Sequence, residues 1–180
     1  MELWDIEALA DRKKGRSVRL GSATRQTIAE LIQRHFSPSG ELLHLAAAPG
    51  AAAVALAQRF RGWQWRPMVH DEADLASLAA WRGAAAVVNL RKARTVSFDE
   101  AVFPITGRVD AVLWGPVAAA RLRRGLQWTH RTLRPGGLCL VVLDAAQQDG
   151  ASIGWTGWSM IDSADPDDAT RVVLLERTTG

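Results

Sequence analysis

The stretch Glu41-Leu-Leu-His-Leu-Ala-Ala-Ala-Pro-Gly50, running directly into the Ala-rich residues 51–60, decides the fold. Leu42 to Leu45 is an apolar run of strand length, and Pro49-Gly50 interrupts it. Past the break, Val54, Leu56 and Phe60 stand among alanines, with Arg59 and Arg61 in the last turn, where a helix favours cations. Strand, turn of small residues and helix form the opening unit of α/β folds in which a ligand lies over the strand ends. Bulk at the turn would fill the ligand's space, so the residues there are small.

Outward from this unit the chain alternates between helical and strand patterns. Ser22 to Phe36 places Ile28, Leu31, Ile32 and Phe36 on one helical face, with Ser22 as the expected cap and Pro38-Ser-Gly40 as the stop. Trp63 to His70 predicts a second strand and Asp71 to Trp81 a helix with Leu75, Leu78 and Ala79 inward. Ala84 to Leu90 reads as a third strand, a continuous apolar run suited to burial on both faces. Phe98 to Phe103 predicts a short helix stopped by Pro104, and Val109 to Trp114 a fourth strand closed by Gly115-Pro116. Val117 to Leu133 spaces Leu122, Leu126 and Leu133 as a helix, with Arg121, Arg123, Arg124 and Arg131 largely outside. Leu133-Arg-Pro-Gly-Gly137 then turns the chain into a fifth strand, Leu138 to Leu143. Ala145 to Gly154 reads as a polar loop. Gly157 to Asp162 and Thr170 to Glu176 read as the last two strands, joined by Ser163 to Asp168.

Composition bounds the rest. With 180 residues and 48% apolar side chains, one sizeable core is expected. The single cysteine, Cys139, excludes a disulfide framework or a Cys metal cluster and suits a reducing, cytoplasmic setting. His35, His44, His70 and His130 fall on separate elements, so no metal site is expected. No apolar run reaches the roughly 20 residues of a membrane span, and Met1-Glu-Leu-Trp-Asp lacks the pattern of a signal peptide. The net charge of +3 points only mildly to nucleic acid. Residues 1–21 read as a basic leader ahead of a domain at 22–180, with Arg12, Lys13, Lys14, Arg16 and Arg19 in a stretch free of acids. That stretch suits a phosphate-contacting arm, but runs this short are common on surfaces and the solvated basic loop is the plainer reading.

Two motifs carry a family resemblance, which extends over residues 22–177. Ala46-Ala-Ala-Pro-Gly50 resembles motif I of the class I S-adenosylmethionine (SAM)-dependent methyltransferases, in wording like the RNA methyltransferases of the Sun and FtsJ types. Leu133-Arg-Pro-Gly-Gly137 resembles the turn before the fifth strand of the same enzymes. The resemblance implies a Rossmann-like α/β fold: a mostly parallel seven-stranded sheet with a C-terminal antiparallel hairpin and Leu42 to Leu45 near its centre. It implies SAM as cofactor, held by His44, Ala46, Ala47, Ala48, Pro49 and Gly50, by His70 or Asp71 at the second-strand tip, by Leu90 and Arg91, and by Trp114. Trp114, Gly115 and Pro116 stand at the acceptor pocket.

Several positions depart from the family pattern. His44 replaces an acid, Arg91 stands where an Asp often binds the adenine amino group, and Trp114-Gly-Pro116 lacks the Asn that grips an amine. While charged, His44 and Arg91 cannot replace carboxylates as acceptors for the cofactor's ammonium and adenine amino groups, which implies weak or absent SAM binding. Two readings stay open. One is a SAM-dependent methyltransferase acting on RNA, with RNA or the ribosome as partner. The other is a non-catalytic module of the same fold that binds RNA or protein. A dinucleotide dehydrogenase is disfavoured, because the turn at 46–50 offers one glycine.

Overall fold

β1 (Gly40–Leu45) forms where expected, and Leu42, Leu43 and Leu45 within it are fully buried. A strand with apolar groups on both faces needs cover on both sides and partners along both edges. β2 (Trp63–Val69) and β4 (Val109–Trp114) are those partners, parallel to it, with Leu42 opposite Trp65 on one side and Ala111 on the other. The structure, a computed structural model, describes residues 20–47, 50–97, 108–144 and 155–178. Residues 1–19 of the basic leader, Ala48 and Pro49, the helix expected at Phe98 to Phe103 and the loop expected at Ala145 to Gly154 lie outside the described residues.

The remaining strands are β3 (Arg94–Thr95), β5 (Leu133–Asp144), β6 (Trp158–Asp167) and β7 (Thr170–Arg177). Among the described residues they complete a seven-stranded sheet in the order β3-β2-β1-β4-β5-β7-β6. β1 to β5 run parallel, and β7 enters antiparallel between β5 and β6. The expected architecture is therefore present, with β1 inside the sheet.

Strand alternation sorts the core into two layers. Leu42, Trp65, Ala111 and Leu113 pack with α1 (Ser22–His35), α2 (Ala51–Arg59) and α3 (Glu72–Ala85) on one face. Leu43, Leu45, Met68, Val112, Trp114 and Cys139 pack with α4 (Ala119–Thr132) on the other. Each fully buried Leu of this kind contributes about 1.5–3 kcal/mol. Polar ties fix the registers. The Asn89 amide donates to the carbonyls of Ala57 and Trp63, both at 2.9 Å, and locks the end of α2 to β2. Asp110 accepts from the Glu41 amide at 2.8 Å and pairs with Arg134, joining β1, β4 and β5.

Four local expectations need correction. Ser22 is the first helical residue, and Gly21 holds the cap position without a side-chain hydrogen bond. The third strand is not Ala84 to Leu90. Ala84 and Ala85 continue α3, because alanine is the strongest helix former, and Ala86 ends it at φ +49°. Leu90 makes only an isolated bridge to Trp65, and the strand proper waits until Arg94. The fifth strand starts earlier than expected: Leu133 already pairs with Val109, and the Arg-Pro-Gly-Gly segment is an irregularity inside β5, with Gly136 at φ +72°. The last connection is short. β6 continues to Asp167, with Pro166 at a register shift of this edge strand and Arg171 clasping Asp165 at 2.6 and 2.9 Å.

Candidate functional site

The carboxyl ends of β1, β2 and β4 meet where the chain order reverses: β1 leads outward to β2, and β4 onward to β5. In open α/β sheets this reversal leaves a crevice over the strand ends. Its floor is backbone. Gly115 N–H donates to the Leu45 carbonyl at 2.9 Å, and Ala47 N–H to the Met68 carbonyl at 3.0 Å, which ties the turn after β1 to both neighbours. Gly115 is required by this approach, since a Cβ there would lie 2.5 Å from the Ala46 oxygen. Gly50, at φ +106°, takes a conformation that suits glycine, and a Cβ on it would lie 2.9 Å from the Leu78 Cα of α3. Ala46 adopts φ +54° without glycine's freedom. The first amides of α2 follow at once and have no partner within their own helix.

The side chains around this backbone frame are committed elsewhere. His44 is 1% exposed, and neither ring nitrogen has a hydrogen-bond partner among the described residues. Its ring lies edge-on to Trp65 at 6.2 Å. Burial pushes its pKa down to about 3, so it is neutral at neutral pH. Asp71 is the cap of α3, accepting from the Asp74 amide at 2.8 Å, and His70 beside it is exposed. Leu90 is buried, while Arg91 is exposed at the sheet edge. Trp114 is fully buried on the α4 side, its indole N–H donating to the Thr129 hydroxyl at 3.0 Å and that hydroxyl donating to the Gly125 carbonyl at 2.8 Å. Gly115 is buried and Pro116 half-buried at the end of β4. The structure thus brings His44, Ala46, Ala47, Gly50, Gly115 and the 70–71 corner to one end of the sheet, and turns the Trp114 side chain into the core.

These residues do not fit SAM well. Its ammonium and adenine amino groups are donors and its ribose offers two hydroxyls, so it needs acceptors at the strand ends. The expected positions supply a buried neutral histidine, an aspartate already bonded to a helix amide, and an arginine. No step of methyl transfer can be built through them. Cys139, inside β5, is fully buried and its thiol pKa is raised by burial, which makes it a core residue rather than a nucleophile. Among the described residues there is no group of three or more metal-ligating side chains, and no helix long and apolar enough to cross a membrane. The sequence alone does not single out Arg66, Arg82 and Arg94, which are far apart in the chain and converge only once β2, α3 and β3 pack side by side.

Over residues 19–118, more than half of the chain, the sequence matches the model of a family described as "Protein of unknown function (DUF938)". No curated protein matches it. Among solved structures, it is similar to the O-methyltransferase of Bacillus cereus in complex with SAH, with a TM-score of 0.76 and 10% identity over 98% of this chain and 90% of that one. It is also similar to TrmN of Thermus thermophilus, with a TM-score of 0.71 and 16% identity, covering 86% of this chain and 48% of that chain. A third similar structure is the fibrillarin pre-rRNA processing protein of Methanococcus jannaschii, with a TM-score of 0.65 and 12% identity over 78% of this chain and 67% of that one. The chain spans about half the length of TrmN. At these identities the likeness is one of fold: the chain has the class I methyltransferase fold.

Proposed function

The chain belongs to the family described as "Protein of unknown function (DUF938)", and from that premise we propose that it is a methyltransferase-fold binding module in which SAM binding and methyl transfer are weak or lost. The observation that carries this reading is the absence of a carboxylate at two of the expected cofactor positions: His44 is buried and neutral, and Arg91 is a cation. Each lost charge-assisted bond costs roughly 1.5–3 kcal/mol. Two such losses take a micromolar ligand towards the millimolar range, at about 1.4 kcal/mol per tenfold. RNA is the partner this reading favours, on the basic leader and on the Ala-Ala-Pro-Gly wording of motif I.

A second reading, a SAM-dependent RNA methyltransferase, draws support from the backbone. Ala46 at φ +54°, Gly50 at φ +106° and the start of α2 at Ala51 all persist. Methyl transfer by direct displacement depends chiefly on positioning. Calorimetric titration with SAM and with S-adenosylhomocysteine separates the two. The binding-module reading expects no saturation below millimolar ligand. Low-micromolar binding of either compound would overturn it in favour of the enzyme.

A further inference from the structure

Away from the strand ends, the β2–β3 edge holds a groove of about 1230 Å³, lined by Arg66, Arg82, Arg91, Lys92 and Arg94, with Glu41 as its only carboxylate among the described residues. Backbone pairing explains its shape. Trp65 exchanges two bonds of 2.8 Å with Asn89 and Arg91, and pairing resumes only at Met68 with Arg94 and at Val69 with Thr95. Between these tethers residues 92 and 93 leave the ladder. Pro67 lies opposite the gap, and because it has no N–H the gap strands no donor there. The bowed segment presents Arg91, Lys92 and Arg94 to solvent. From the helix side, Arg82 donates to the Leu90 carbonyl at 2.6 Å, which holds its guanidinium at the rim. From the strand side, Arg66 pairs with Glu41 at 3.1 Å.

Five cations against one carboxylate leave a local excess of four positive charges, more than the +3 of the whole chain. Lysines and arginines on an edge strand also guard against edge-to-edge pairing. That role explains Lys92 and Arg94; Arg66 and Arg82 are held in the same groove by Glu41 and the Leu90 carbonyl, which adds their charge to it. A protein partner would need an aromatic or aliphatic anchor seated in a pocket. The one large apolar side chain lining the groove and strongly exposed is Val88, at 94%. A nucleic-acid backbone needs only cations along its path.

We infer that this groove binds the phosphate backbone of a nucleic-acid strand. The groove opens on the sheet edge, so the inference holds whether or not SAM binds at the strand ends, and its test uses no cofactor. A fluorescent single-stranded RNA is titrated by anisotropy over a salt series, with the full chain and with the triple variant Arg91→Gln, Lys92→Gln, Arg94→Gln. The variant is expected to bind at least about tenfold more weakly at low salt, with a log–log salt slope shallower by about 2, from about 0.7 per phosphate contact. A control, Arg61→Gln, Arg123→Gln, Arg131→Gln, removes the same charge elsewhere and is expected to change binding far less. Unaltered melting of both variants shows that the fold is intact. Four results would overturn the inference: no RNA binding by the full chain at low salt, no loss in the groove variant, equal loss in the control, or displacement of RNA by polyglutamate at equal charge.

Discussion

At the end of β1 a histidine is kept neutral by its surroundings. His44 has an apolar layer on its side of the sheet and an indole edge-on, so protonation would bury an unpaired charge. Its folded pKa of about 3 lies below the unfolded value of about 6.5. Between these values the unfolded chain takes up a proton that the folded chain refuses. The contribution of His44 to stability is therefore fully present above pH 6.5 and declines as pH falls, by at most about 1.4 kcal/mol per pH unit. Asp162, held low chiefly by its hydrogen bond with His35 and also by Arg34, loses its contribution only at more acid pH, where carboxylates titrate. Urea unfolding at pH 7, 6 and 5 is expected to show the intact chain weakening over this range, and His44→Leu weakening less. His44→Leu also removes two ring nitrogens that lack partners among the described residues, so at pH 7 it is expected to be at least as stable as the parent. Parallel pH curves for the two proteins would refute this account of His44.

Element by element, the contest was between local propensity and tertiary partners. Ala84 and Ala85 joined α3 because nothing beside them offered a better pairing than one more helical turn. The edge strand shrank to Arg94–Thr95 as a result. α4 was decided by packing: its Gly125 sits against the Trp114 ring, where an added Cβ would collide with the indole carbons. Gly83 in α3, by contrast, has open space around its Cα. Two identical substitutions should therefore have opposite signs. Gly125→Ala is expected to destabilise by about 1–3 kcal/mol through overpacking. Gly83→Ala is expected to stabilise by about 0.5–1 kcal/mol, because it removes glycine's conformational entropy from a helix. Thermal melts of both variants check the pair, and a neutral Gly125→Ala would mean that the α4–β4 contact is looser than described.

Across the whole molecule, order in the sheet sets where the chain opens. β1, β4, β5 and β7 each have a strand on both sides, while β3 has two residues on one edge and the largely exposed β6 closes the other. Hydrogen exchange followed by mass spectrometry is expected to find the slowest amides in β1, β4, β5 and β7 and the fastest in β3 and β6. Protection of β3 as strong as that of β1 would contradict this ranking. A loosely held β3 also leaves the cationic segment at 91–94 free to adjust to a partner.

The sequence by itself determined the fold class, because apolar runs and helical spacings are local and the Gly-containing turn at 46–50 marks where the first strand ends and its helix begins. It also made the loss of acids at His44 and Arg91 legible, since a residue's charge type needs no coordinates. Only the tertiary structure decided what the remaining polar groups do. Asp71 at the second-strand tip is shown to cap α3 only once the Asp74 amide is placed 2.8 Å from one of its carboxylate oxygens. Trp114 reads as a pocket wall until Thr129 and Gly125, on the helix that follows it, pack against its ring. The cations of the β2–β3 groove come from a strand, a helix and an edge segment, so their shared field exists only once long-range pairing has brought them together.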